Sequence, residues 1–166
     1  EISSVSGNLA GMPNALVRGD DGDYYGTTNY GGSFGLGSVF KITESGEHTT
    51  LVDFDNTNGS FPVAALIQAD DGNFYGTTQG GGHAGWGTIF RMTPAGTLTT
   101  MATFTGQNGM NPSAPLVQGT DGNFYGTAVG RIFRMTASGN LTKLTDFEGG
   151  YTHSAGAGGL VQADDG

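Results

Sequence analysis

Acidic residues gather at three turns of this chain: Asp20-Asp21-Gly22-Asp23, Asp70-Asp71-Gly72-Asn73 and Thr120-Asp121-Gly122-Asn123. Clustered carboxylates are the hard oxygen donors that calcium takes. Asp20, Asp21, Asp23, Asp70 and Asp71 are therefore the metal candidates. Calcium wants about six to eight oxygens, from carboxylates at alternate positions and a later bidentate acid. These turns offer few acids, and the third opens on Thr120 in place of aspartate. The favoured reading is a tight hairpin in which Asp-Gly supplies positive φ values. No bound cofactor is expected, with calcium as the one alternative.

A second kind of residue lies in two glycine-rich loops, 31–37 and 80–87. Tyr30, Phe34, Trp86 and His83 sit in or beside them, outside any strand pattern. Aromatic faces in an exposed loop stack on sugar rings or anchor a protein partner. These four are the binding candidates, for a protein or a glycan. The plainer alternative folds the rings over the end of the core. Leu36 holds in the first loop the place that Trp86 holds in the second.

Other chemistries fit poorly. His48, His83 and His153 fall at unrelated positions and make no zinc spacing. No nucleophile-elbow pattern is present. A phosphate cradle needs a helix after its glycine loop, and strand-forming residues follow instead. There is no cysteine, hence no disulfide or thiolate site. The net charge of −9 and the scattered Lys and Arg argue against nucleic acid. No apolar run approaches the roughly 20 residues of a membrane helix, so no membrane insertion is expected in this segment. Asn58-Gly59-Ser60 and Asn140-Leu141-Thr142 match the glycosylation sequon.

The elements that must position these residues are repeated. Gly22, Gly72 and Gly122 mark a period of 50 residues, each inside a phrase like Asp71-Gly72-Asn73-Phe74-Tyr75-Gly76-Thr77-Thr78. Such a period belongs to stacked supersecondary units. In one unit Ala64–Gln68 reads as a first, most buried strand and Asn73–Thr78 as a second. Thr88–Thr93 reads as a third strand, alternating outward polar with inward apolar residues, and Thr97–Phe104 as a fourth. Gly76 would admit a close approach of backbone. Four strands per repeat of this length is the pattern of a β-propeller blade.

The chain is thus expected to be all-β: one repeat domain over 1–166 with blades near 12–57, 62–107 and 112–149. Single strands of partial blades are expected at 1–6 and 158–166, which makes the segment a window on a longer propeller. The third copy is seven residues shorter, all taken from the glycine loop. The loop is therefore not needed to build a blade, and variable loops on a repeated scaffold are where partners bind.

The phrase Asp71–Thr78, then Gly81-Gly82, then Gly87–Gly96 resembles the GloVer-type choice-of-anchor tandem repeat. That resemblance implies a propeller-like fold, secretion and attachment to a bacterial cell surface. It implies no catalytic residue. The expected role is a non-enzymatic extracellular or cell-surface scaffold that presents loops to a protein or glycan. Two alternatives stand: a structural subunit polymerising into an extracellular fibre or array, and an accessory propeller of a polysaccharide-active enzyme.

Overall fold

A computed structural model describes residues 11–146 and 159–163. Those residues contain no helix and form three four-stranded antiparallel sheets. The first sheet holds β1 (Val17–Arg18), β2 (Tyr24–Thr28), β3 (Ser38–Ile42) and β4 (His48–Asp53). The second holds β5 (Ile67–Gln68), β6 (Phe74–Thr78), β7 (Thr88–Met92) and β8 (Leu98–Thr103). The third holds β9 (Val117–Gln118), β10 (Phe124–Ala128), β11 (Arg131–Met135) and β12 (Leu141–Asp146). Strands follow chain order in every sheet, so each is a meander, and the chain is a propeller-type stack of blades. The strand expected at 1–6 lies outside the described residues. Of 158–166, residues 159–163 are described and carry no ladder.

The burial order within a blade differs from the expectation. The first strand is only two residues long, and β6 and β7 are the most buried. The polar-apolar alternation of the third strand also fails: Thr88, Ile89, Phe90 and Met92 are all buried, and only Arg91 is partly open. Inner strands of a stack are covered on both faces, which erases the period of two. The fourth strand does lie at an open edge, and its Thr99 and Thr100 are exposed.

Each outer strand carries a bulge. Ile89 faces Ala102 and Phe90 faces Thr100, which leaves Met101 as the extra residue. Leu51 and Leu144 stand in the same place in the other sheets. A bulge sharpens local twist and re-aims a side chain. Here it turns Leu51 and Met101 onto the apolar joints between blades.

Those joints are the core. At the first, Tyr25, Val39, Val52 and Phe54 pack against Leu66, Phe74, Phe90 and Met92. At the second, Tyr75, Ile89 and Phe104 pack against Leu116, Phe124, Phe133 and Met135. Every partner set comes from the same repeat positions, so one sequence phrase builds both sides of a joint. Gln68 and Gln118 add a polar latch. Their side-chain oxygens accept the backbone N–H of Asp20 and Asp70, one blade back, at 2.9 Å in both cases.

The glycine repeated in strand two serves packing. A Cβ on Gly76 would lie 2.6 Å from the ring of Phe90 and 2.8 Å from Leu66. The close approach is thus made by side chains and not by backbone. In the third blade the glycine loop is replaced by a tight turn at Val129 and Gly130, and β10 and β11 keep five residues each. Arg131 stands where Ser38 and Thr88 stand. It donates to the carbonyls of Gly106 and Gln107 and pairs with Asp146.

Candidate functional site

The acidic turns and the aromatic loops lie at opposite ends of a blade. β6 runs from the Asp70–Gly72 turn at Phe74 to the glycine loop at Thr78. At about 3.3 Å per residue, a five-residue strand separates the two groups widely. They are two sites, not one.

At the turn end, the hairpin is not the two-residue type that Asp-Gly predicts. Gly72 N–H donates to the carbonyl of Ala69, and Ala69 N–H to that of Asn73, so three residues form the loop. Gly72 takes φ +75°, while Asp71 is absent from the positive-φ residues of the chain. This is a type I turn closed by a left-handed glycine. It leaves the Asp71 carboxylate free to bond. One oxygen accepts the backbone N–H of Asn73 at 3.0 Å, and the other accepts the Tyr75 hydroxyl at 2.9 Å. Asp21 and Asp121 do the same for Tyr25 at 2.7 Å and Tyr125 at 2.8 Å.

The remaining candidates divide. Asp23 is paired with Lys41, while Asp20 and Asp70 are exposed. Among the described residues no three His, Asp or Glu converge as a metal site.

These bonds perturb both partners. Burial, then the bond to Asp71, pushes the Tyr75 hydroxyl up to about 12. Tyr25 is raised by burial and by Asp21 in the same way. For Asp71, burial works upward, but the Asn73 amide, the Asn73 N–H and the Tyr75 hydroxyl together hold it below its ordinary value.

A pH dependence follows. The folded chain keeps the Tyr75 proton to higher pH than the unfolded chain, so this stabilisation is complete below the ordinary value of 10.0 and fades as pH rises toward about 12. Tyr75→Phe should melt lower than wild type at neutral pH, by about 1 kcal/mol for one lost hydrogen bond. That gap should close across the alkaline window. Thermal melts of both proteins check it, and a gap that stays constant would contradict the linkage.

At the loop end, the backbone is held on both sides while side chains stay outside. In the second loop Gly82 N–H donates to Asn56, Gly87 N–H to Gly81, and Asn111 N–H to the Trp86 carbonyl. Ser60 and Gly80 exchange two backbone bonds. The first loop is joined to the second through Phe61: its N–H donates to Leu36, and its carbonyl accepts from Gln79. Phe61 takes φ +56° to do so.

Tyr30 meets Phe61 edge-on at 5.6 Å. Tyr30 is 53% exposed, Phe34 63% and Trp86 42%, and His83 is exposed in the same loop as Trp86. Of these loop positions only Leu36 turns inward, against the first joint. The structure brings the two loops to one rim, but among the described residues no ring pair links Tyr30 or Phe34 to Trp86. Phe61 and Asn111, which tie the rim together, escape sequence reading. Both sit in connectors, and the one hint is an Asn-Gly step shortly before each.

The sequence model of the Gloeobacter/Verrucomicrobia repeat matches residues 2–166. No curated protein sequence matches the chain. Among solved structures, a gluconolactonase from Xanthomonas campestris is similar at TM-score 0.56 and 17% identity, over 82% of this chain and 48% of its own. The extracellular domain of a protein assigned as a one-component system in B. thetaiotaomicron is similar at TM-score 0.59 and 14% identity, over 81% of this chain and 16% of its own. The extracellular domain of one assigned as a hybrid two-component system in B. thetaiotaomicron gives 0.51 and 15%, over 80% and 17%. The chain spans less than half the length of each. Likeness at this identity speaks to the fold alone.

Proposed function

The chain belongs to the Gloeobacter/Verrucomicrobia repeat family, and from that premise we propose that it serves outside the cell, or on its surface, as a non-enzymatic scaffold whose loop rim binds a protein or glycan. The observation that carries this reading is the contrast at the rim. The loop backbones are tied into the blades, yet Tyr30, Phe34 and Trp86 keep large apolar faces in water. Rigid aromatic anchors on a held backbone lose little entropy on binding. Two extracellular domains among the similar folds support the location. The gluconolactonase shares the fold at 17% identity, and a likeness of that kind carries no chemistry over to this chain.

Trp86 is the chain's one tryptophan, so its fluorescence reports on the rim directly. Titration with soluble envelope and cell-wall oligosaccharides, and with purified surface proteins, should give saturable change for at least one of them. Trp86→Ala should abolish that binding and cost less than about 1 kcal/mol of stability, as an exposed position does. A large stability loss would make Trp86 part of the core and overturn the reading.

A further inference from the structure

Charge is sorted between the two ends of the blades. The sequence has 6 Lys and Arg residues, and all of them are among the described residues. Arg18 pairs with Glu44 and Lys41 with Asp23, at the turn end. Arg91 and Arg134 face Tyr75 and Tyr125 across the ladder, at the same end. Arg131 and Lys143 both hold Asp146 in the third blade. None is left for the rim between the first and second blades. The titratable groups there are Tyr30, Asp53, Asp55 and His83.

The two acids lie between the aromatic loops. Asp53 accepts the hydroxyl of Ser33, the residue before Phe34, at 2.5 Å. Three residues on, the Asn56 carbonyl accepts the N–H of Gly82 in the Trp86 loop. The other Asp53 oxygen is buried against Gly32 and has no hydrogen-bond partner among the described residues. Asp55 is exposed, and the Thr57 hydroxyl, then the Asn58 N–H, hold it below its ordinary value. A blade requires neither acid, because Thr103 and Thr105 stand in their places one repeat later. The third blade shows what a carboxylate at this register takes. Asp146 faces Arg131 as Asp53 faces Ser38, and the Arg131 guanidinium binds it at 2.8 Å.

Resting on the rim reading above, we propose that the partner is an arginine-rich protein segment, whose guanidinium groups stack on the exposed rings of Tyr30, Phe34 and Trp86 and meet the charge of Asp53 and Asp55. Arginine is the side chain that answers both features. Its planar cation stacks on aromatic faces and donates to carboxylates in a fork. A neutral sugar would use the rings and leave the acids idle, and an acidic one would be repelled. The net charge of −9 also speeds the approach of a basic partner.

The probe is hexa-arginine, titrated into the 166-residue chain at low salt and read by Trp86 fluorescence and calorimetry. Saturable binding is expected. The double variant Asp53→Thr with Asp55→Thr, which copies the second blade, should weaken it about tenfold, the value of two exposed charge pairs, and melt near wild type. Asp55→Asn alone should weaken it about threefold. Hexa-lysine should bind less tightly than hexa-arginine, because an ammonium stacks less well. Equal binding by wild type and the double variant would overturn the proposal, since the peptide would then follow the chain's overall charge. Failure of hexa-arginine, while an envelope oligosaccharide or a surface protein still shifts Trp86, would overturn this inference and leave the rim reading standing. No response to any of them would overturn both. Tighter binding of a glucosamine oligomer than of hexa-arginine would replace the protein segment with an amino sugar.

Discussion

Phe90→Ala will lower the unfolding free energy by about 3–5 kcal/mol, the range for a large aromatic removed from a packed core. Phe90 is fully buried and meets the edge of Phe54 across the first joint at 5.4 Å. Its ring also fills the space over Gly76. The substitution therefore opens a cavity that two blades share. In a stack, each blade is stabilised by its own strands and by its neighbours. The loss should fall first on the coupling between the first and second blades. Urea unfolding should show a lower midpoint, and hydrogen exchange should quicken in β2 and β3 before β10 and β11. Equal loosening of all three sheets would contradict the joint assignment.

Gly76→Val acts at the same place from the other side. Overpacking a filled core costs about 1–3 kcal/mol, and more where the displaced atoms cannot move. Here the added carbon would lie 2.6 Å from Phe90 and 2.8 Å from Leu66, both inside the joint, so a loss of about 3 kcal/mol is expected. Gly72→Ala is the informative control. Nothing lies within 4 Å of a Cβ there, and only the φ of +75° opposes it. That change should cost about 1 kcal/mol. Pairing Gly76→Ala with Phe90→Leu should recover part of the loss, because the two changes share one space. Equal costs for Gly76→Val and Gly72→Ala would mean that backbone conformation, not packing, dictates glycine in strand two.

Much of this was legible in the chain itself. The period of 50 residues and the Phe-Tyr-Gly-Thr phrases announce repeated four-stranded units. The shortened third copy announces that the glycine loop can be removed, and the structure keeps both flanking strands intact there. The bond from Asp71 to Tyr75 was hidden because it crosses a hairpin whose turn type cannot be read from Asp-Gly alone. The burial of Thr88 in the third strand was hidden because Thr88 and Arg91 imitate a solvent face, while stacking covers both sides and leaves only Arg91 partly open. The bulge at Met101 was hidden because it is a shift in pairing register with β7, which the order Thr100-Met101-Ala102 alone does not show. At the rim, Tyr30, Phe34 and Trp86 could be found by composition. Their exposure could not, because Leu36 occupies the same position as Trp86 and turns inward.

The central claim is that the repeated residues build the blades and leave the glycine loops free to bind. It is tested most directly by giving the second blade the third blade's turn. Thr78–Thr88 would be replaced by Ala-Val-Gly-Arg, the sequence of 128–131, with Thr103→Asp to supply the partner that Asp146 gives Arg131. Melting and ligand binding would be measured on this chain and on wild type. The prediction is a cooperative melt within a few degrees of wild type, together with loss of the saturable rim binding. Unfolding of the altered chain, or binding that persists without Trp86 and its loop, would contradict it.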